Sequence, residues 1–105
     1  MTDIRKPQEC TSMEEVRDEI DRLDRELVDR ISQRFGYVDR AWQIKLNKED
    51  AYLPWRIQEV IDKVRTRAEE NGLSPHLAEA LWRQMIGWFV QYEEEKMRDK
   101  HGGGS

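Results

Sequence analysis

The chain has little of what builds a reactive centre by covalent, redox or metal chemistry. Cys10 is its one cysteine, so no internal disulfide can form and a reducing, cytoplasmic location is the expectation. His76 and His101 are the two histidines, and neither has carboxylate or thiol partners at metal-ligand spacing. No Gly-rich phosphate loop and no G-x-S-x-G elbow occurs, which disfavours nucleotide and acyl-serine chemistry. A basic excess is missing as well: 18 Lys and Arg stand against 22 Asp and Glu, a balance that argues against a nucleic-acid partner. With 38% charged residues against 37% hydrophobic ones, no segment approaches the roughly 18 consecutive apolar residues of a membrane span. The first residues also lack the charged, apolar and small-residue order of a signal peptide. So polar a chain of 105 residues has a thin core unless chains share one, and an oligomer is expected.

Proline and glycine are scarce enough to act as punctuation. Residues 1–11 form a polar leader, after which Ser12-Met13-Glu14-Glu15 has the form of a capping box. From there to Pro54 only Gly36 interrupts a helix-forming run, and one long helix is predicted over about 12–46. A loop over 47–53 leads to Pro54, well suited to the first turn of a second helix that stops at Asn71-Gly72. Ser74-Pro75 opens a third helix that runs to about Lys100. The helical domain thus spans 12–101, and 102–105, Gly-Gly-Gly-Ser, is a flexible tail of the kind used as an artificial linker. An all-α chain of three helices results. A first helix of about 35 residues is roughly 50 Å long, far longer than a compact domain of this size is wide, so it must lie against a second chain.

At 100° per residue the apolar stripe of the first helix holds Val16, Ile20, Leu23, Leu27, Ile31, Val38 and Ala41, with Phe35 and Trp42 on its shoulder. Arg34 and Lys45 fall inside that stripe. A cation at a core position costs several kcal/mol unless it snorkels or meets an anion. Two on one face, about 16 Å apart, point to an anionic ligand between them. Arg17 is about 25 Å along the helix from Arg34, beyond reach of the same small ligand, but in an antiparallel dimer it can close the site of the other chain. Arg56, just inside the second helix, is a further candidate, or else an ordinary exposed arginine at a helix start.

The third helix carries a broad apolar surface of Leu77, Leu81, Met85, Trp88 and Tyr92, continued by Trp82, Ile86, Phe89, Val90 and Met97. Glu93 lies within it, where burial favours the protonated, hydrogen-bond-donating acid. The alternative is a pair with Lys96 or membership of the solvated run Glu93-Glu94-Glu95. Trp82 and Trp88 read as core, while Trp42 and Trp55 bracket the loop and are placed to cap a pocket. On pattern alone a plain helical dimerisation module competes with an enzyme.

A series of short segments from Pro7 to Lys100 carries a resemblance: Pro7-x-Glu9-Cys10-Thr11, Val16-Arg17-x-x-Ile20-Asp21-x-Leu23-Asp24, Arg34-x-x-Tyr37-Val38, Lys45, Pro54-x-Arg56 and Ala68-Glu69-Glu70-Asn71-Gly72-Leu73. In this order and spacing the chain resembles the all-helical chorismate mutase family, and most closely its salicylate-forming branch of isochorismate-pyruvate lyases. The resemblance implies an intertwined homodimer with two equivalent sites and no cofactor. Arg34, with Arg17 of the partner chain and help from Arg56, would hold the substrate's two carboxylates. Lys45 would face the enolpyruvyl ether oxygen as its C–O bond breaks. It implies an enzyme releasing salicylate and pyruvate from isochorismate, with a secondary chorismate mutase activity; chorismate mutase proper, or a non-catalytic relative, is the alternative. Two departures bear on this. Ile57 follows Arg56 where typical mutases place a glutamate that grips the ring hydroxyl, and Glu93 stands where lyases and bacterial mutases commonly have glutamine. The loop Tyr52-Leu53-Pro54-Trp55 is also bulkier than the family pattern.

Overall fold

The computed structural model describes residues 4–44 and 53–102. Among them a short 3-10 turn, Pro7–Glu9, precedes three α-helices: α1 (Met13–Ile44), α2 (Pro54–Glu70) and α3 (Pro75–Gly102). No strand occurs among the described residues, so the chain is all-α, as its punctuation predicts. The expected last turn of the first helix beyond Ile44, and most of the 47–53 loop, lie outside the described residues. Among the described residues no helix is long and apolar enough to cross a membrane.

The chain divides into two units, Met1–Tyr37 and Val38–Ser105. In the first, the leader is tied back onto the opening turns of α1. The Arg5 main-chain N–H donates to Glu19 Oε2 at 3.1 Å, and its Nε lies 3.2 Å from Glu15 Oε2. Ser12 caps as expected, its Oγ accepting the Glu15 N–H at 3.1 Å. The reciprocal arm of the box is displaced by one residue: the Glu15 carboxylate accepts the N–H and hydroxyl of Thr11, at 2.7 and 2.9 Å. Those donors, with the Arg5 charge, hold the Glu15 carboxyl below its ordinary range. Along the rest of α1, Ile20, Leu23, Leu27 and Ile31 share the face that the sequence marks as apolar, yet they remain 44–57% exposed in this chain.

In the second unit α2 packs against α3. Pro54 needs no hydrogen-bond partner for its nitrogen at the start of α2, and the Leu53 carbonyl takes the Arg56 and Ile57 N–H groups at 3.0 Å. The end of α2 is a Schellman turn. Leu73 N–H reaches Ala68 O at 2.8 Å, Gly72 N–H reaches Glu69 O at 3.1 Å, and Gly72 has a φ of 72°. Ser74 Oγ then accepts the Leu77 N–H and opens α3. Small residues flank the turn, Ala68 and Ala78, and both are buried, as are Ile61 and Met97. Arg65 of α2 donates to Glu79 Oε1 of α3 at 2.7 Å, while Arg83 holds the other oxygen at 2.6 Å. Arg83 and then Arg65 keep the Glu79 carboxyl below its usual value. One expectation fails: Trp88, read as core, stays 60% exposed, because the face it shares with Leu77 and Leu81 is not covered in this chain.

Gly72 supplies a backbone conformation that a Cβ disfavours, and nothing stands within 4 Å of where that Cβ would be. Gly72→Ala is therefore expected to cost about 1–2 kcal/mol through the backbone alone, read as a lower urea midpoint with an unchanged slope.

Candidate active site

Arg17, Arg34, Arg56 and Glu93 each have a definite place within their own unit. Arg17 and Arg34 both project from α1, Arg17 exposed and Arg34 half-buried. Seventeen residues of helix separate them, about 25 Å, so the two cannot grip one small molecule from the same chain. Their neighbours differ. Arg22 is engaged by Glu19 at 2.8 Å and Glu26 at 3.0 Å, whereas Arg17 makes no ion pair among the described residues. An exposed, unneutralised guanidinium is available to an anion outside its own unit.

In the second unit Glu93 is 7% exposed, beside the fully buried Met97, while Glu95 faces solvent. Burial sets Glu93 apart from the solvated end of the acidic run Glu93-Glu94-Glu95. Arg56 is exposed on the first turn of α2 and donates to Glu59 at 2.6 Å. An exposed pair of this i,i+3 kind is weak, and a substrate carboxylate can compete for the guanidinium. Ile57 beside it is half-buried. Lys45 lies outside the described residues.

One group escaped the sequence reading. Asp39, near the end of α1, accepts a 2.6 Å hydrogen bond from the Tyr92 hydroxyl of α3, and Trp42 Nε1 donates to the same oxygen at 2.8 Å. The Tyr92 ring stacks on Trp88, centroids 5.8 Å apart and planes 11° from parallel, and Lys96 Nζ lies 5.5 Å from its centroid. Trp42 is thus half-buried and held by its indole nitrogen, while Trp55 is 65% exposed. The signal was present: Phe35, Asp39 and Trp42 recur at four and three residues, a carboxylate set between aromatics on one face of α1. The Tyr92 and Trp42 donors, with the Lys96 charge, hold Asp39 below the ordinary aspartate range against the opposing effect of burial. Conversely the Asp39 anion pushes the Tyr92 phenol up.

With that geometry in view, comparison with known proteins gives the class. The chain belongs to the chorismate mutase type II family, whose sequence profile matches residues 16–94. Over 99 residues it is 29% identical to the isochorismate pyruvate lyase of Pseudomonas aeruginosa, a match covering 94% of this chain and 98% of that protein. The family span contains Arg17, Arg34, Lys45, Arg56 and Glu93, the residues singled out from the sequence.

The Asp39 and Tyr92 shifts have opposite pH consequences. Asp39 is depressed, so its contribution to stability is present above the ordinary aspartate pKa of about 3.9 and lost as pH falls through its lower folded value. Tyr92 is raised, so its contribution is complete below the ordinary phenol pKa of about 10 and lost as pH climbs through the folded value. Asp39→Asn is expected to bring the Tyr92 titration down, measured by tyrosinate absorbance against the parent protein; an unmoved titration would contradict the contact.

Proposed function

We propose that this chain is an isochorismate-pyruvate lyase, working as a homodimer without a cofactor and carrying a secondary chorismate mutase activity. What carries the reading is an end-to-end likeness to a lyase in a chain whose buried Glu93 falls in the family span, together with the cationic residues the reaction needs. Loss of pyruvate from isochorismate breaks the ether C–O bond and moves one ring hydrogen to the enolpyruvyl methylene, leaving an aromatic ring. No nucleophile is required. The protein selects the folded substrate conformer and supplies fixed positive charge where the ether oxygen gains electron density.

In this reading Arg34 and Arg17 of the partner chain hold the carboxylates, and Arg56, released from Glu59, assists. Lys45 stabilises the charge on the departing oxygen, and Glu93 in its protonated form donates a hydrogen bond to it. Ile57 favours the lyase over a dedicated mutase, because it offers nothing to grip the ring hydroxyl of chorismate. The second chain has independent support. Ile20, Leu23, Leu27 and Ile31 are each about half exposed, and covering them would contribute roughly 1 kcal/mol apiece. A cytoplasmic location accompanies the proposal, supported by the single cysteine, and the partners are a small dicarboxylate substrate and a second copy, with neither nucleic acid nor membrane.

The deciding experiment supplies isochorismate and chorismate separately and follows salicylate fluorescence and chorismate loss. Salicylate from isochorismate is expected, and silence on both substrates would overturn the proposal. Lys45→Ala should lower kcat by about two to three orders of magnitude with helicity intact. Glu93→Ala should lower kcat about tenfold or more, whereas Glu93→Gln, which keeps a hydrogen-bond donor at that place, should retain most of it; a Glu93→Ala protein with unchanged kcat removes Glu93 from the mechanism.

Shared sites predict complementation. Arg17→Ala and Arg34→Ala proteins are each expected to be nearly inactive, but mixing them after unfolding makes half the dimers mixed, each with one intact site. About a quarter of wild-type activity should return. No recovery would place Arg17 outside the partner's site.

A further inference from the structure

The Asp39 cluster has no part in the chemistry just proposed, yet its construction is that of a fixed joint. Asp39 sits in the closing turns of α1 and Tyr92 on α3, 53 residues apart in sequence and joined at 2.6 Å. Both ends are held before they meet. Trp42, one turn further along α1, donates to the same carboxylate oxygen. On α3 the Tyr92 ring is gripped one turn back by the stacked Trp88 and one turn forward by Lys96, so its hydroxyl is delivered in one orientation. Tyr92 immediately precedes the buried Glu93 on the same turn. A hydrogen bond that water can compete for adds little to stability on balance. As a constraint on where two helices meet it is far more specific, and displacement of a reacting group by about 1 Å can cost about a hundredfold in rate.

We propose that Asp39 and Tyr92 are positioning residues: their hydrogen bond fixes the end of α1 against the turn of α3 that carries Glu93, and so sets the aim of Glu93 at the reacting ether oxygen. This rests on the lyase reading. It adds residues that act without touching substrate, and it assigns the stacked Trp88 and the Trp42 indole to the same joint.

The test is a double-variant cycle on kcat with isochorismate, far below the melting temperature. Tyr92→Phe removes one oxygen and keeps the ring stack. It is expected to lower kcat about tenfold while KM moves less than about threefold, since the carboxylate-binding arginines are untouched. Asp39→Asn, which retains an acceptor oxygen for the tyrosine, should keep most of the activity, whereas Asp39→Leu should match Tyr92→Phe. In a Glu93→Ala background Tyr92→Phe should cost nothing more, because the group being aimed is gone. A general loss of folded protein would instead multiply the two losses. Multiplied losses, or a Tyr92→Phe protein within about twofold of wild type, overturn the positioning role while leaving the lyase reading intact. A wild-type protein with no turnover overturns the lyase reading and the positioning role with it.

Discussion

An apolar stripe left uncovered is the constraint on which the rest of this structure depends. α1 runs for 32 residues and none of them is buried, although Ile20, Leu23, Leu27 and Ile31 recur on one face. Four half-exposed aliphatic side chains forgo several kcal/mol, a large share of the 5–15 kcal/mol by which a domain is stable. The second unit has the same deficit on α3, where Leu77, Leu81 and Trp88 stay outside a core of Ile61, Ala68, Ala78 and Met97. In the proposed dimer a second copy would remove both deficits and would also answer the geometric problem of Arg17, which stands about 25 Å along α1 from Arg34. Burial and catalysis would then have the same solution, and folding, assembly and site formation would be one event.

The helix plan was legible because its signals are local. Pro54 and Pro75 tolerate only first-turn positions here, and the Asn71-Gly72 stop is a Schellman turn whose glycine adopts the φ its place demands. The Ser12 cap was also readable, but the return arm was not: Glu15 found two donors on Thr11, a stronger arrangement than the one the motif assumes. Periodicity placed Glu93 within an apolar surface, and burial followed. It misjudged Trp88, since a helical pattern identifies an apolar face without saying whether the same chain covers it. Asp39 was missed for a different reason. Its partner is 53 residues away, and no local rule pairs a carboxylate on one helix with a phenol on another. Arg34 and Lys45 stood out as charges inside an apolar stripe, and Arg17 and Arg56 as candidates beside it and at a helix start, which locates cations but not the atoms they hold.

The contrast between Asp39 and Glu93 shows how one fold treats two carboxyl groups differently. Asp39 is given donors, a tyrosine hydroxyl, an indole N–H and a nearby ammonium, and each stabilises the anion. Glu93 is instead buried beside Met97 within the apolar surface of α3. A charged carboxylate suits a joint, because it accepts two hydrogen bonds at once. The role proposed for Glu93 is the opposite one, donation of a hydrogen bond, which a carboxyl performs only when it carries its proton.

The pericyclic elimination proposed for this chain would give the protein few levers. It has no covalent intermediate to stabilise and no proton to abstract, so rate is gained from the substrate's conformation and from charge already aimed at the breaking bond. Aim depends on rigidity, and rigidity is hard to obtain where Ile61, Ala68, Ala78 and Met97 are the only apolar residues buried outright among the described ones. Directional contacts must then do what a large core does elsewhere. The Arg65–Glu79 pair joins α2 to α3, and the Asp39–Tyr92 bond joins the end of α1 to α3, each crossing between helices. Such contacts add little net stability, but they restrict where two helices can meet. For the catalyst proposed, which would work by placement, excluding arrangements that leave Glu93 slightly out of line would be a larger effect than the stability each bond contributes.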